Sequence, residues 1–321
     1  MELDVCGSGA LNWDIFFRVE SLSQLPLKTA SPGSEIVLPR KEFLFLLEYL
    51  YKAGEFLFEG GGGSSANTIF ALGIWGFKCA FFSITGKDEF GKKILKEFEK
   101  AGISTEYISQ KGKTSLALII LDEKKDRFIV VSPGDCENYI CEILKREIPE
   151  PMLWHFSSFA SSYGQEFQKE LLKKVKKKSK ISFDPGEIYA KKGKSFFIPF
   201  VKFCKFFFIT QKELELFSFS PEELFDLGVE KIFLKKGKEG AELITPEKKI
   251  IESAVTIKEV IDNTGAGDYF NAGVIAGTLM GLEDEKILKL GIYSAGLSLR
   301  SYGRSGCMSK KEFEFYVNLL K

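Results

Sequence analysis

Histidine is nearly missing from this chain. His155 is the only one in 321 residues, and it sits in the apolar string 153–156, where a core position is expected rather than a metal ligand. A zinc-type enzyme built on histidine is therefore poorly supported. Cysteine is sparse and scattered: Cys6, Cys79, Cys136, Cys141, Cys204 and Cys307 form no C-x-x-C pair. They read as reduced thiols serving as small hydrophobes, which points to a cytoplasmic protein. No window approaches about 18 uncharged apolar residues, so no spanning helix is expected. Met1-Glu2-Leu3-Asp4 lacks the basic and apolar regions of a signal peptide. Charge of one sign is missing too, with 45 basic residues against 44 acidic ones. No global field favours nucleic acid or an anionic membrane, and the lysine-rich run 173–180 reads as the solvated end of a helix. What is abundant is phenylalanine, at 31 copies.

Short apolar runs alternate with amphipathic stretches. Strands are expected at 3–7, 79–84, 152–156, 181–184, Phe206–Thr210 and 232–235, and helices at 67–72, 91–101, 268–280 and 283–300. Residues 41–52 read as a helix with Phe43, Leu44, Leu47 and Leu50 as its apolar positions. Ser115–Leu121 and Arg127–Ser132 flank a polar turn at 122–126 and read as a hairpin. Strand–helix alternation predicts an α/β fold, a mostly parallel sheet covered by helices on both faces. We expect one domain over 1–321, with a small β excursion from roughly 14–38 and 104–131.

Two glycine motifs mislead. Gly112-Lys113-Thr114 has the tail of a Walker A loop, but Tyr107 stands where the first glycine belongs and a strand follows. Gly7-Ser8-Gly9-Ala10-Leu11-Asn12 opens like a dinucleotide fingerprint, but Asn12 replaces the third glycine.

The chemistry concentrates in three clusters. Asp262-Asn263-Thr264-Gly265-Ala266-Gly267-Asp268 joins a strand-like stretch, 254–261, to an apolar helix. Gly-Ala-Gly at a helix start leaves open backbone N–H groups at the positive end of the dipole, a receptive site for phosphate. Asp268 in the first turn reads either as an acid capping free amides or as a base beside that anion site. Glu59-Gly60-Gly61-Gly62-Gly63-Ser64-Ser65-Ala66-Asn67 is a second glycine run opening onto a helix, suited to a hinge or to close approach of a ligand. Asn67 there offers both a donor and an acceptor to a polyol. Asn12 and Asp14, two apart, lie on one face if the backbone is extended; a turn is the other reading.

These clusters, in this order, resemble the PfkB, or ribokinase-like, family over nearly the whole chain. Asp262–Asp268 is similar to its D-T-x-G-A-G-D, departing at Asn263, and Gly62-Gly63-Ser64-Ser65-Ala66-Asn67 is similar to its G-G-x-x-x-N. Gly86-Lys87-Asp88-Glu89-Phe90-Gly91, Asp184-Pro185 and Lys235-Lys236-Gly237-Lys238-Glu239-Gly240 resemble further family patterns. The resemblance implies a three-layer sandwich with a β lid from the excursion, a lid-mediated homodimer, and an ATP-dependent kinase acting on a hydroxyl of a sugar or sugar-like molecule. It implies Asp268 as general base, with Gly265, Ala266 and Gly267 as the anion hole. Asn12, Asp14, Gly62, Gly63 and Asn67 would line the acceptor pocket. Lys235, Gly237, Gly240 and Thr264 would lie on the nucleotide side, with Glu213 organising Mg²⁺ through water and a monovalent cation as a further candidate.

Three departures from the family stand out. Thr210-Gln211-Lys212-Glu213 keeps the Glu of the family's N-x-x-E but not its Asn. Ser157 or Ser158 falls where ribokinases place an acidic substrate ligand, and about twenty residues are inserted between Asp14 and Gly62. A nucleoside kinase of the same family is the alternative, with Trp13 as a candidate platform for a base. A non-catalytic sugar-binding regulator is the alternative from another class.

Overall fold

The computed structural model describes residues 2–27, 31–123, 127–175 and 179–321. The expected turn at 122–126 and lysine run at 173–180 lie partly outside the described residues. Eight strands form the central sheet, in the order Lys249–Glu252, Ala241–Ile244, Lys231–Lys235, Phe206–Thr210, Lys180–Asp184, Leu153–Ser157, Val5–Ser8 and Cys79–Phe81. The last six are parallel, and the first two fold back as an antiparallel hairpin. The parallel strands are apolar almost throughout because helices cover both of their faces. Alternate residues feed two cores: Val5, Leu153, Phe206 and Phe208 on one side, Cys6, Trp154, Phe156 and Phe207 on the other. Phenylalanine fills both cores alike. Phe183 packs edge-on against Phe197 at 5.1 Å, and Phe197 lies 4.8 Å from Phe217. Among the described residues no helix is long and apolar enough to cross a membrane.

A second sheet of five strands stands over the carboxyl ends of the parallel ones, in the order Ser34–Val37, Arg127–Ser132, Ser115–Leu121, Asn12–Arg18, Glu55–Gly62. It differs from the expected 14–38 and 104–131 in two ways. Glu55–Gly62 joins it, so most of the glycine run is strand rather than hinge. Ile108–Gln110 leaves it and pairs with Ser83–Thr85, splitting the run read at 79–84. The stretch 254–261 is not a strand; its apolar residues Val255, Ile257 and Val260 line the cavity described below.

The inserted helix, Arg40–Ala53, covers the face of the second sheet that points away from that cavity. It buries Phe43, Leu46 and Leu50, while Leu44 is 47% exposed, which shifts the stripe from the one expected. Phe17 of the sheet meets Tyr51 of the helix edge-on at 5.1 Å. Phe43 is fully buried, so Phe43→Ala is expected to cost about 3–5 kcal/mol, read from denaturant unfolding.

Candidate active site

Asn12 and Asp14 sit on the strand Asn12–Arg18 with Trp13 between them on the opposite face. The extended reading therefore holds and the turn reading does not. Trp13 packs toward Phe90, with ring centroids 6.0 Å apart, and does not line the cavity. The antiparallel register sets Asn12 opposite Gly62 and Asp14 opposite Gly60. A Cβ on Gly62 would lie 1.9 Å from Asp14 Oδ2, so this glycine is the bed on which the Asp14 carboxylate rests rather than part of the cavity wall. Gly63 does line the cavity. Its φ is +102°, and a Cβ there would meet the Ala10 carbonyl oxygen at 2.2 Å.

Past Gly63 the chain enters the helix Ser64–Trp75, whose first turn carries Asn67. The Asn67 Nδ2 donates to Asp268 Oδ2 at 2.9 Å, and the Thr68 hydroxyl donates to the Asp268 carbonyl oxygen at 3.0 Å. The starts of two helices 200 residues apart are thereby pinned together. Ser157 takes part in building this entrance: its Oγ accepts from the Ser65 amide at 2.9 Å. Neither Ser157 nor Ser158 lines the cavity.

The second helix, Ala266–Leu279, begins after a tight turn. Asp262 Oδ1 accepts from the Thr264 amide at 2.9 Å, and Gly265 takes the left-handed conformation, φ +78°, that favours glycine. The Gly265 carbonyl accepts from the Asp268 and Tyr269 amides at 2.8 and 3.0 Å. Among the described residues the amides of Gly265 and Gly267 have no acceptor. These are the open donors that an anion site needs. The Asp268 carboxylate does not cap its own helix; its partner Asn67 belongs to another one.

Burial pushes Asp268 up to about 6; the Asn67 hydrogen bond opposes this and the charge of Asp184 adds to it. Burial likewise pushes Asp14 up to about 7, against the pull of Arg304.

The far end is organised by Lys235, at the close of its strand. Lys235 Nζ lies 2.5 Å from Asp184 Oδ2, which also accepts from Asn271 Nδ2 at 2.6 Å. Burial works against charge on both partners, yet their mutual attraction wins: Lys235 is held above its ordinary value and Asp184 below. Gly237 and Gly240, at φ +58° and +98°, close the loop after Lys235. Thr210 explains the departure from N-x-x-E. Its Oγ accepts from the Glu213 amide at 3.2 Å while Glu213 Oε2 accepts from the Thr210 amide at 2.9 Å. Threonine thus caps the helix Gln211–Phe217 as asparagine would. The decoy Gly112-Lys113-Thr114 is structural as well, since Thr114 N donates to Asp88 Oδ2 at 2.9 Å.

One cavity of about 840 Å³ joins these groups. Its walls include Asn12, Asp14, Gly63, Asn67, Glu213, Lys235, Gly237, Gly240, Thr264, Gly265, Ala266, Gly267 and Asp268; within it Asn67 meets Asp268, and a Cβ on Gly267 would lie 3.3 Å from Lys235 Nζ. Of the residues expected in the site, only Gly62 lies outside its walls. Sequence reasoning missed Arg127, whose Nη1 donates to the Asn263 carbonyl at 3.3 Å, and Glu35 of the second sheet, which burial pushes up to about 7. It also missed Arg304, buried behind Asn67. None of the three stands in the clusters read above, although Arg304 lies within Gly303–Gly306.

Parallel strands, helices on both faces and a cavity at the strands' carboxyl ends define an open α/β protein with its ligand site where such sheets carry one. The model of the pfkB family carbohydrate kinases matches residues 52–311, and the chain belongs to that family. An uncharacterized sugar kinase of Archaeoglobus fulgidus is 30% identical over 235 residues, 71% of this chain and 94% of that protein. A nucleoside kinase of Methanocaldococcus jannaschii is 25% identical over 249 residues, 75% of this chain and 80% of that protein. The crystal structure of adenosine kinase from Sinorhizobium meliloti superposes with a TM-score of 0.84 at 18% identity, covering 100% of both chains. The protein is a ribokinase-like, ATP-binding phosphotransferase whose acceptor is an alcohol group.

Proposed function

We propose that this kinase transfers the γ-phosphoryl group of ATP to a hydroxyl of a sugar or sugar-like molecule, with Asp268 as the general base. The observation that supports the reading is that one cavity brings these groups together. Asn67 meets Asp268, Asn12 and Asp14 share the same lining, and Lys235 stands beside Gly267, whose amide is open.

On the acceptor side, among the described residues, Asn12 Oδ1 and Asp14 Oδ1 are buried without partners. Buried polar atoms left unpaired are costly, so they are apt seats for acceptor hydroxyls. Asn67 and Asp14 hold the acceptor, and Asp268 takes the proton of the attacking oxygen. Its raised pKa suits that task, because a base works best when its pKa lies near the operating pH. The amides of Gly265 and Gly267 stabilise charge on the transferring group. Lys235, Gly237, Gly240 and Thr264 hold the nucleotide's phosphates. Glu213 is the carboxylate that would hold Mg²⁺ through water, and Mg²⁺ when bound neutralises charge on those phosphates. Glu213 lines the cavity, with Lys235 and Asp184 near its carboxylate.

A nucleoside acceptor is the second reading. Ala117, Ile119, Ile129 and Val131 of the second sheet add an apolar panel beside Asn12 and Asp14. Such a panel suits a base better than it suits an open polyol. An ADP-release screen over pentoses, hexoses, inositols and nucleosides, run in K⁺ and in Na⁺ buffers, separates these cases. Release with none of them would favour the regulator.

The pH dependence follows from the two carboxylates. Both must be ionised to work, one to take a proton and one to accept from a hydroxyl. Their raised values, about 6 for Asp268 and about 7 for Asp14, place the acid limb of kcat/KM near neutrality. Activity is expected to fall as pH drops through that range, measured as kcat/KM for the acceptor against pH.

A further inference from the structure

Asn67 donates to the Asp268 carboxylate from the helix opposite, and its usefulness depends on which way its amide faces. Oxygen and nitrogen of a primary amide have nearly the same shape, so packing alone does not choose between them. The choice is made by Arg304, a donor-only group. Its Nε donates to Asn67 Oδ1 at 3.2 Å, leaving Nδ2 to donate to Asp268 at 2.9 Å. A flipped amide would set donor against donor at Arg304 and acceptor against carboxylate at Asp268.

Arg304 is itself held through Nε and Nη1, while among the described residues its buried Nη2 has no partner. It is 7% exposed, and its Nη1 donates to Glu97 Oε2 at 2.7 Å. Its guanidinium carbon lies 5.0 and 5.1 Å from the ring centres of Phe70 and Phe98. Glu97 in turn accepts from the Gly61 amide at 3.1 Å, and a Cβ on Gly61 would meet Arg304 Nη1 at 2.2 Å. The second glycine of the run therefore makes room for the arginine, as Gly62 does for Asp14.

We propose that Arg304 is a positioning residue for phosphoryl transfer, fixing Asn67 so that its NH₂ group faces Asp268. Arg304 does not line the cavity and touches no acceptor. The inference rests on the reading of Asp268 as base but is tested apart from it.

The groups facing Asp268 are Asn67 and Ser64 from one helix, Lys235 and Asp184 from the sheet, and Asp14 from the second sheet. Loss of the Asn67 donor leaves the carboxylate with less support for its charge. Carboxyl-¹³C titration of the free protein, with Asp268 assigned through Asp268→Asn, reads this without any acceptor. Arg304→Met is expected to move the Asp268 midpoint up by about one unit, the size of one lost hydrogen bond to a charged group.

Arg304→Lys separates position from charge and serves alone if the methionine variant does not fold. A lysine drawn to Glu97 keeps the cation but leaves Asn67 Oδ1 without its donor, so the same upward shift is expected. A wild-type midpoint in Arg304→Lys would mean that the cation alone matters, and the proposal falls. An unchanged midpoint in both variants overturns it equally. Turnover of Asp268→Asn decides the base assignment separately.

Discussion

Asp268→Asn is expected to lower kcat by about 10²–10⁴-fold, the usual contribution of a positioned general base, with KM for ATP nearly unchanged. The substitution keeps the shape of the side chain. An asparagine oxygen still accepts from Asn67 Nδ2, so the bond that pins the two helix starts survives. What is lost is a group able to take a proton, because the amide nitrogen has no free lone pair to offer. Stability should move the other way. A carboxyl raised to about 6 in the folded state supports folding only while protonated and works against it once pH exceeds that value. At neutral pH the neutral asparagine is therefore expected to match or exceed the wild-type melting temperature. Lower turnover with undiminished stability is the signature of a group kept for chemistry. A variant that turns over at near the wild-type rate with its fold intact ends the assignment.

The sequence revealed some elements and hid others for identifiable reasons. Ser115–Leu121, Arg127–Ser132 and Phe206–Thr210 were legible to the residue because each is a continuous apolar run bounded by polar turns. Ala241–Ile244 and Lys249–Glu252 were not. Each has only four residues and carries charge that pairs at the sheet edge, as Glu242 does with Lys236 and Lys249. The stretch 254–261 imitated a strand because its apolar residues serve a cavity wall instead of a ladder.

In the site, Asn12 and Asp14 could be read from a spacing of two, and Asp268 from the loop before it. Arg304 could not, since Asn67 and Glu97 lie 237 and 207 residues away. No local pattern encodes such a contact. The glycine run advertised that something approaches the backbone closely; the approaching groups are the protein's own Asp14, Arg304 and Glu97.

That reassignment makes Gly62→Ala a demanding test of the acceptor end. The added methyl would stand 1.9, 2.1 and 2.2 Å from Asp14 Oδ2, Cγ and Oδ1, so all three atoms of the carboxylate must move. The strand itself has little freedom to yield, because Gly62 is paired with Asn12 in the antiparallel ladder. The Asp14 side chain must therefore rotate off its present position in the cavity wall. Displacing a substrate-holding group by about 1 Å can cost on the order of 10²-fold, and a loss of that size is expected in kcat/KM for the acceptor. The KM for ATP should hold, because the atoms nearest the added methyl belong to Asp14 and not to Lys235, Gly237 or Gly240. Steady-state kinetics with each substrate varied in turn distinguishes the two ends. Equal losses for acceptor and ATP would mean that Gly62 supports the fold at large and not the seat of Asp14.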